Sequence, residues 1–383
     1  MKNKSEMSPE QMERLRREEK RLVPYSSVLL HWYEAHWRAL PWRADAHPYR
    51  VWVSEIMLQQ TRIEAVLPYF ERFMESLPTL QDLANADEQL LLKLWEGLGY
   101  YSRVRNLQRA ARQVVELYGG ELPADYEALR GLPGIGDYTA GAVASISFGL
   151  PVPAVDGNVM RVLARLTADD QDILRPAAKR WFQQLATAVL PPDQPGAFNQ
   201  ALMELGETVC LPNTEPLCDR CPMAPICTAR EQGVARQLPV RSPKKARRVE
   251  QRTVLVLIAQ EEPGRVLLHK RPDRGLLAGL WELPNTEGWL TTEQAISWAE
   301  ERGFSPDGVR ALPPGKHLFS HIEWQMQGYE IRGTRQTSVQ HGVKTAWVTV
   351  EDLRREYALP SAFRTYSAGL PAALSGPIQL TWG

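Results

Sequence analysis

From Ser26 to about Arg230, apolar residues recur at helical spacing, as in SSVLLHWYEAHWRAL, DEQLLLKLWEGL and AAKRWFQQLATAVL. This spacing places them on one face of an α-helix, and Pro and Gly residues separate the runs. Near residue 250 the pattern changes to short β-rich runs bounded by turn residues, such as TVLVLIAQ, RVLLHKR and TAWVTV. The pattern predicts an all-α region followed by a separate α+β domain. In that domain, one helix from about Thr292 to Arg302 interrupts the series of strands.

Changes in composition along the chain divide it into four segments. Residues 1–24 are mixed in charge and predict a solvated or frayed helix, and residues 25–234 form the helical domain. Residues 235–252 are a basic linker, and residues 253–370 form the α+β domain. Between Arg236 and Arg252 the chain carries seven Lys or Arg and one acid. This cluster is either a solvated linker or a segment beside DNA, since basic clusters bind phosphates.

The bulk composition excludes several classes of protein. At 383 residues the chain is long enough for two or three domains, and its formal net charge of +0 gives no sign of a polyanionic partner. No stretch approaches the length of a membrane-spanning helix, and no apolar segment follows a charged amino terminus. We therefore expect a cytoplasmic protein that has no membrane partner.

All four cysteines fall within one segment, CLPNTEPLCDRCPMAPIC, with the spacing C-x7-C-x2-C-x5-C. They are Cys210, Cys218, Cys221 and Cys227. Four thiolates brought together by short loops are typical of a metal site, because soft sulfur ligands suit zinc or iron–sulfur clusters. The alternative is a pair of local disulfides, which are rare in the cytosol. The spacing alone does not separate iron from zinc.

The segment LRGLPGIGDYTAGA predicts a hairpin between two helices that can hold a phosphate. Pro133, Gly134 and Gly136 end one helix, and the next is predicted to begin at Thr139. Glycines let backbone N–H groups approach a ligand, and the amino-terminal end of a helix attracts an anion. The phosphate of a nucleic-acid backbone fits this site, and a plain helix–turn–helix corner is the alternative.

Two carboxylates stand out in the helical region. Glu55 is the one ionisable side chain in VWVSEIML, and a helix there puts Val51, Glu55 and Leu58 on one face. A carboxylate among apolar neighbours tends to keep its proton near neutral pH, as a general acid must. The alternative is a Glu that reaches solvent or pairs with an Arg. Asp156, just before the helical run GNVMRVL, is by itself a helix N-cap.

Together these motifs carry a resemblance to a known family. The sequence LPGIG-x-x-TA, followed about twenty residues later by VDGNVMRVL and then by the four cysteines, resembles the helix-hairpin-helix family of base-excision DNA glycosylases. The strings PWR and YRVWVSEIMLQQT are similar to its MutY-type adenine glycosylase branch. The resemblance implies an all-helical domain with a [4Fe–4S] cluster on the four cysteines, although the first cysteine spacing is one residue longer than the family usually has.

The resemblance also implies a mechanism. Glu55 would protonate the departing adenine at N7, and Asp156 would stabilise the positive charge on the sugar, with Tyr138 and Asn158 organising the sugar side. Bifunctional members carry a lysine at the position of Tyr138, which is instead expected to donate a hydrogen bond to Asp156 or to the sugar. Without that amine no Schiff base forms, so the resemblance implies a monofunctional enzyme that uses water as the final nucleophile.

Further residues match positions that contact DNA in the family. Arg43 and Gln200 match positions that line the adenine pocket, and Gln60 and Tyr100 match residues that probe the helix around the lesion. A base inside a duplex must be flipped out, and a flat ring such as that of Tyr100 can stack between bases. Gly134 and Gly136 would contact a backbone phosphate.

The α+β domain resembles the Nudix-like domain that MutY-type enzymes use to recognise 8-oxoguanine opposite the adenine. Phe319, Ser320 and His321 match the loop that contacts the oxidised base. The magnesium-binding Nudix box is eroded: Glu300 and Glu301 are present, but Ile296 and Ser297 stand where Arg-Glu would be. Metal-dependent hydrolysis by this domain is therefore not expected.

The leading hypothesis is a monomeric adenine glycosylase acting on double-stranded DNA with 8-oxoguanine·adenine or G·A mispairs, nucleoid-associated if bacterial. One alternative is a bifunctional lyase for oxidised pyrimidines, against which the missing lysine argues. Others are a noncatalytic iron–sulfur DNA-binding or sensor protein, and a nucleotide-pyrophosphate hydrolase run by the α+β domain.

Overall fold

The computed structural model describes residues 7–243, 245–261, 264–336 and 344–375. Parts of the predicted segments lie outside the described residues: 1–6 of the amino-terminal helix, 244 of the linker, and 262–263 and 337–343 of the α+β domain. The chain divides into two compact units. Unit 1 holds the described residues of Met1–Asn85 and Asn106–Pro243, and unit 2 those of Ala86–Arg105 and Lys244–Gly383.

The first two thirds of the chain are helical, as the apolar spacing predicts. The helices are α1 (Pro9–Leu22), α2 (Ser26–His36), α3 (Pro48–Leu58), α4 (Ile63–Ser76), α5 (Leu80–Asn85), α6 (Glu88–Leu94), α7 (Ser102–Tyr118), α8 (Tyr126–Arg130), α9 (Asp137–Phe148), α10 (Gly157–Leu166), α11 (Pro176–Val189), α12 (Pro195–Thr208) and α13 (Thr228–Glu231). Short 3-10 turns lie at Val23–Tyr25, Pro41–Arg43, Cys218–Arg220, Ala224–Ile226 and Ala235–Gln237. Among the described residues, no helix is both long and apolar enough to cross a bilayer.

The amino-terminal helix α1 is more firmly held than its composition suggests. Arg14 pairs with the buried Asp169, with Nη2 and Oδ2 2.6 Å apart, and Arg21 donates to the backbone carbonyl of Ile226. Leu22 is buried in the core that α2, α10, α11 and α12 share. The prediction of a solvated helix is therefore correct for its outer face and wrong for its inner one.

The predicted hairpin joins α8 to α9. Gly134 has φ +79°, and a Cβ there would come within 2.7 Å of the Asn106 Cβ, so the turn requires glycine. Helix α9 begins at Asp137, two residues before the predicted start at Thr139. Tyr138 therefore lies in the first turn of a helix rather than in the loop before it.

Unit 2 is built on a mixed sheet. Its strands are β1 (Arg248–Ala259), β2 (Arg265–Lys270), β3 (Trp281–Glu282), β4 (Asn285–Glu287), β5 (Phe304–Leu318), β6 (Ile322–Arg335) and β7 (Thr345–Val348), and its later helices are α14 (Thr292–Glu300), α15 (Val350–Arg355), α16 (Arg364–Ser367) and α17 (Leu370–Ser375). A 3-10 turn lies at Ser361–Phe363. The order within the described strands is β3-β2-β1-β6-β5, where β4 pairs with β1 and β7 with β2, and β1 runs parallel to β6. This confirms the predicted fold class.

The central strand β1 explains why its sequence reads as an unbroken apolar run. Val254 and Val256 pack into the core on one face of the sheet, and Leu255 and Leu257 pack into a second core on the other face with α14. Successive side chains of a strand point to opposite faces, so a strand covered on both sides is apolar throughout.

The sequence pattern missed β5, the segment FSPDGVRALPPGKHL. Its Pro and Gly residues are typical of loops, yet it pairs with β6 along its length. The register shifts between Pro306 and Gly308, and again between Leu312 and Gly315. Because β5 lies at the edge of the sheet, a missing N–H and local bulges are tolerated there.

Candidate active site

A cavity of about 590 Å³ in unit 1 collects most of the predicted catalytic and DNA-contacting residues. Its walls come from α3, α12, the 3-10 turn at Pro41–Arg43, and the amino-terminal ends of α9 and α10. Eight predicted residues line it: Arg43, Glu55, Gln60, Gly136, Tyr138, Asp156, Asn158 and Gln200. Tyr100 and residues 319–321 belong to unit 2, and Gly134 lies in the hairpin turn without lining the cavity.

Glu55 projects from α3 into this cavity with 7% of its surface exposed. Burial raises its pKa from 4.5 to about 7. A hydrogen bond from Tyr138 and the charge of Arg43 oppose this shift, and the nearby Asp156 adds to it. The result is a carboxyl group that holds and releases a proton near neutral pH, as the sequence pattern predicts for a general acid.

Tyr138 contacts Glu55 because α9 packs against α3. Its hydroxyl donates to Oε2 of Glu55 at 2.5 Å. The sequence predicts a bond to Asp156 or to the sugar, and the structure corrects the first of these, because the partner is Glu55. Burial and the neighbouring Glu55 hold the pKa of Tyr138 well above its usual value, so the phenol stays protonated and acts as a donor.

Asp156 is the N-cap of α10, as predicted. Its Oδ1 accepts from the backbone N of Val159 at 2.7 Å, and its Oδ2 accepts from Nδ2 of Asn158 at 3.0 Å. Burial raises its pKa, while these hydrogen bonds and the charge of Arg161 lower it. The cap fixes the carboxylate at the positive end of a helix, where an anion is stabilised.

Arg161 connects this end of the cavity with the cysteine segment. Its Nη2 donates to Oδ1 of Asn158 at 2.8 Å and to the carbonyl of Gly206 at 2.7 Å, and its Nε donates to the carbonyl of Cys210 at 2.8 Å. Asn158, which donates to Asp156, is therefore itself held by the Arg161 guanidinium, which also binds the backbone of the first cysteine.

Sequence reasoning missed Glu204, which also lines the cavity. Its carboxylate is ion-paired with Arg38 and with Arg43, at 2.5 Å and 2.9 Å. A signal was available: Glu204 follows Gln200 by four residues in FNQALMELGE, and this spacing puts both on one helical face. Gln200 itself donates from Nε2 to the carbonyl of Gly196 at 3.3 Å.

Gln60 lies in the break between α3 and α4 with φ +62°, a left-handed conformation that non-glycine residues adopt rarely. Such backbone outliers are common at sites that contact ligands. The break also divides the sequence VWVSEIMLQQTRIEAVLPYF, which reads as one helical run, into two helices.

The four cysteines surround a second cavity in unit 1, and none forms a disulfide. Val162, Leu166 and Leu205 supply part of its apolar wall, and Arg165 donates from Nη1 to Sγ of Cys210 at 3.2 Å. Within the described residues, no three His, Cys, Asp or Glu side chains converge on the position of a single metal ion. Four sulfur donors around a cavity, with a guanidinium beside one of them, fit a larger sulfur-ligated group.

In unit 2 two of the predicted DNA-contacting elements touch each other. Tyr100 is 48% exposed with φ +47°, and its hydroxyl lies 3.2 Å from Oγ of Ser320. Residues 319–321 form the turn between β5 and β6, where the ring of Phe319 packs edge-on against Trp324 with centroids 4.9 Å apart. His321 is exposed.

Helix α14 carries what is left of the Nudix box. Glu300 ends the helix and Glu301 follows it, and both side chains are exposed. The acids needed to bind magnesium on one helical face are thus not assembled among the described residues of this unit.

Comparisons with known proteins agree with both units. Residues 53–188 match the family model of the HhH-GPD superfamily base excision DNA repair proteins, and residues 253–368 match the NUDIX domain. The adenine DNA glycosylase of Homo sapiens is 37% identical over 93% of this chain and 76% of its own length. That of Buchnera aphidicola subsp. Baizongia pistaciae is 29% identical over 86% and 92%. A thermostable thymine-DNA glycosylase structure, 28% identical, covers 56% of this chain and 98% of its own, with a TM-score of 0.50.

Proposed function

The chain belongs to the adenine DNA glycosylase family, and we propose that it hydrolyses the N-glycosidic bond of adenine opposite 8-oxoguanine or guanine in double-stranded DNA. The observation that carries the proposal is that Glu55 and Asp156 line one cavity, beside a glycine hairpin suited to a phosphate. A flipped adenine in that cavity meets an acid with a pKa of about 7.

Glu55 donates its proton to N7 of the adenine, which makes the base a better leaving group. As the bond breaks, positive charge develops on the sugar, and the carboxylate of Asp156 stabilises it. Asn158 orients that carboxylate through the bond from Nδ2 to Oδ2. Tyr138 holds Glu55 in place, and because it is a phenol rather than an amine it forms no Schiff base, so water is the final nucleophile.

DNA is held through its backbone and probed around the mispair. Gly134 and Gly136 open the hairpin so that the N–H groups at the start of α9 bind a phosphate. Gln60 and Tyr100 enter the duplex next to the extruded base. Both have left-handed backbone conformations, which non-glycine residues adopt rarely and which are common at sites that contact ligands.

Recognition of the oxidised guanine falls to unit 2. Ser320 donates to the altered edge of 8-oxoguanine, and Phe319 holds the loop by packing against Trp324. His321 contacts the same lesion or a phosphate. The contact between Ser320 and Tyr100 supports a shared role, because it joins the proposed wedge to the proposed lesion reader within one compact unit.

A [4Fe–4S] cluster fits the four-cysteine cavity, where Cys210, Cys218, Cys221 and Cys227 would hold it. Bound there, the cluster supplies a covalent cross-link for a segment that is short of regular structure. Arg165 stabilises the Cys210 sulfur, and Arg161 ties its backbone to the base cavity. Iron and sulfide analysis, together with the visible absorbance of the purified protein, distinguishes this cluster from zinc.

The test is base release from duplexes carrying adenine opposite 8-oxoguanine, guanine, cytosine or thymine. We expect adenine to be released fastest opposite 8-oxoguanine and next opposite guanine. Release of a pyrimidine instead of adenine overturns the proposal. Borohydride should trap little protein on the DNA, and strong trapping would favour the lyase.

A Glu55→Gln variant separates the enzyme from a noncatalytic DNA-binding protein. The substitution removes the proton donor while keeping the shape and one acceptor for Tyr138. We expect normal binding to the mispaired duplex and no adenine release. If the variant and the parent behave alike in both assays, the proposed catalytic role of Glu55 is wrong.

A further inference from the structure

Glu204 is a buried carboxylate in the wall of the base cavity, and the chemistry proposed above does not use it. It projects from α12 and is 1% exposed. Oε1 accepts from Nε of Arg38 at 2.5 Å, and Oε2 accepts from Nη2 of Arg43 at 2.9 Å. A buried charge is costly unless its hydrogen bonds are satisfied, and here both oxygens are occupied by arginines. The carboxylate therefore fixes two guanidinium groups in defined positions.

Of these two arginines, Arg43 is the one that lines the cavity. It ends the 3-10 turn at Pro41–Arg43, and its guanidinium lies 5.8 Å from the ring centroid of Tyr33. A guanidinium has five N–H donors. Among the described residues, Nη2 of Arg43 donates to Glu204, and Nη1 donates to the backbone carbonyl of Arg38 at 3.4 Å. Other donors of Arg43 are suited to the acceptor nitrogens of a purine edge.

The charge of Arg43 also bears on the proton of Glu55. The charged and titratable groups that line the cavity with Glu55 are Arg43, Asp137, Tyr138, Asp156, Glu204 and Glu207. Arg43 is the one cation among these described lining residues, and it favours the ionised form of Glu55. An anion bound directly to Arg43 offsets that influence.

We propose that Glu204 is a positioning residue of the base pocket: it holds the Arg43 guanidinium against the flipped adenine and balances its charge, so that Glu55 keeps its proton. The inference rests on the proposed function, since it takes the adenine as the group that Arg43 contacts. Arg38 is the outer anchor, because it binds Glu204 and is itself held by Glu207 at 2.6 Å.

The first experiment compares Glu204→Gln with the parent chain in single-turnover adenine release across pH. The amide keeps the size of the side chain and one acceptor oxygen, so it cannot anchor both Arg38 and Arg43, and Arg43 loses its counterion. We expect the rate near neutral pH to fall about a hundredfold, since a small displacement in an active site has effects of this order. We also expect the alkaline decline in rate to move about one pH unit lower, because an unbalanced cation favours ionised Glu55.

Glu204→Asp separates position from charge. It keeps the anion but shortens its reach to Arg43, so we expect a slower rate with an alkaline decline at the parent's pH. This variant also decides the matter if Glu204→Gln does not fold. A Glu204→Asp protein that matches the parent in both rate and pH profile overturns the proposal.

Glu18→Gln is the matched control. Glu18 is also a buried carboxylate paired with an arginine, Arg21, at 2.5 Å, but it does not line the base cavity. We expect it to lower thermal stability and to leave the pH profile of base release where the parent has it. A general loss of stability therefore cannot imitate the expected result.

An Arg43→Gln background tests whether Glu204 acts through Arg43. We expect Glu204→Gln to have little further effect on base release there. The proposal is overturned if Glu204→Gln slows that background by the same factor as the parent, or if it leaves the parent's alkaline decline unmoved. These results differ from a failure of the proposed function, in which the parent itself releases no adenine.

Discussion

Acidic residues occur in both units of this protein, but their surroundings differ. In unit 1, Glu55 and Asp156 are enclosed in one cavity, and burial raises the pKa of each. In unit 2, Glu300 and Glu301 stand in solvent at the end of α14. The same chemical group is enclosed away from water in the first setting and exposed to it in the second.

This difference explains how a chain with two potential hydrolase modules divides the work. A carboxyl group does acid chemistry near neutral pH only where desolvation holds its proton, and a magnesium site needs several acids on one face. Unit 1 meets the first condition and unit 2 does not meet the second among its described residues. This contrast agrees with the proposal that unit 1 cleaves the bond and unit 2 recognises the lesion, and four predictions test that division.

The largest effect is expected from Asp156→Asn. The amide still caps α10 but removes the anion that faces the sugar, so adenine release should slow about a thousandfold or more. Single-turnover assays on an adenine·8-oxoguanine duplex measure this, and circular dichroism checks that the helix is intact. A loss smaller than about tenfold would show that the sugar cation does not depend on Asp156.

A second prediction concerns pH. Base release requires protonated Glu55, so its rate should be high below pH 7 and fall as the pH rises through about 7. The folded pKa exceeds the unfolded value of 4.5, so this group favours folding at low pH and that contribution is lost as the pH passes 7.

Glu55→Gln removes that titration. Relative to the parent it should gain stability at pH 8.5 and gain little at pH 4, and the difference can reach about 3 kcal/mol. Thermal unfolding at the two pH values measures it. An equal change in stability at pH 8.5 and at pH 4 would mean that burial does not hold Glu55 in its protonated form.

The third prediction addresses unit 2. Ser320→Ala removes one hydroxyl from the loop between β5 and β6, and its contact with Tyr100. The preference for adenine opposite 8-oxoguanine over adenine opposite guanine should fall about tenfold, which corresponds to one hydrogen bond. The rate opposite guanine should change little. If the variant slowed adenine release equally opposite 8-oxoguanine and opposite guanine, Ser320 would contribute to catalysis and not to recognition.

The smallest effect is expected from the double variant Glu300→Gln/Glu301→Gln. Because both side chains are exposed, base release, mispair preference and stability should stay within the error of the measurement. Neither the parent nor the variant should hydrolyse nucleoside triphosphates in the presence of magnesium. If the parent showed magnesium-dependent hydrolysis and the double variant did not, unit 2 would itself be catalytic.

Much of this arrangement is predictable from the sequence, because local signals coincide with the global fold. The apolar spacing predicts the helices, and the isolation of Glu55 among apolar residues predicts its burial. The position of Asp156 before a helical run predicts the cap, which its bond with the Val159 backbone confirms. Each of these follows from a pattern within about a dozen residues.

What could not be predicted depends on contacts between distant parts of the chain. Glu204 is one acid among many until α12 packs beside the turn that carries Arg43, 161 residues away in sequence. The prolines of β5 make its sequence look like a loop. They are tolerated because β5 is an edge strand, and the segment's own sequence does not show that it lies at an edge. The partner of Tyr138 is Glu55 and not the predicted Asp156, because the sequence pattern does not tell that α9 packs against α3.

The docking of α1 has a consequence for the order of biosynthesis. Arg21 is bound to the carbonyl of Ile226, which lies 205 residues further along the chain and directly precedes the last cysteine. A ribosome therefore releases this arginine long before the thiols emerge. The helix that binds the backbone beside the last cysteine is therefore already made when Cys227 leaves the exit tunnel, and a tag or truncation that unwinds this helix would remove the contact between Arg21 and Ile226.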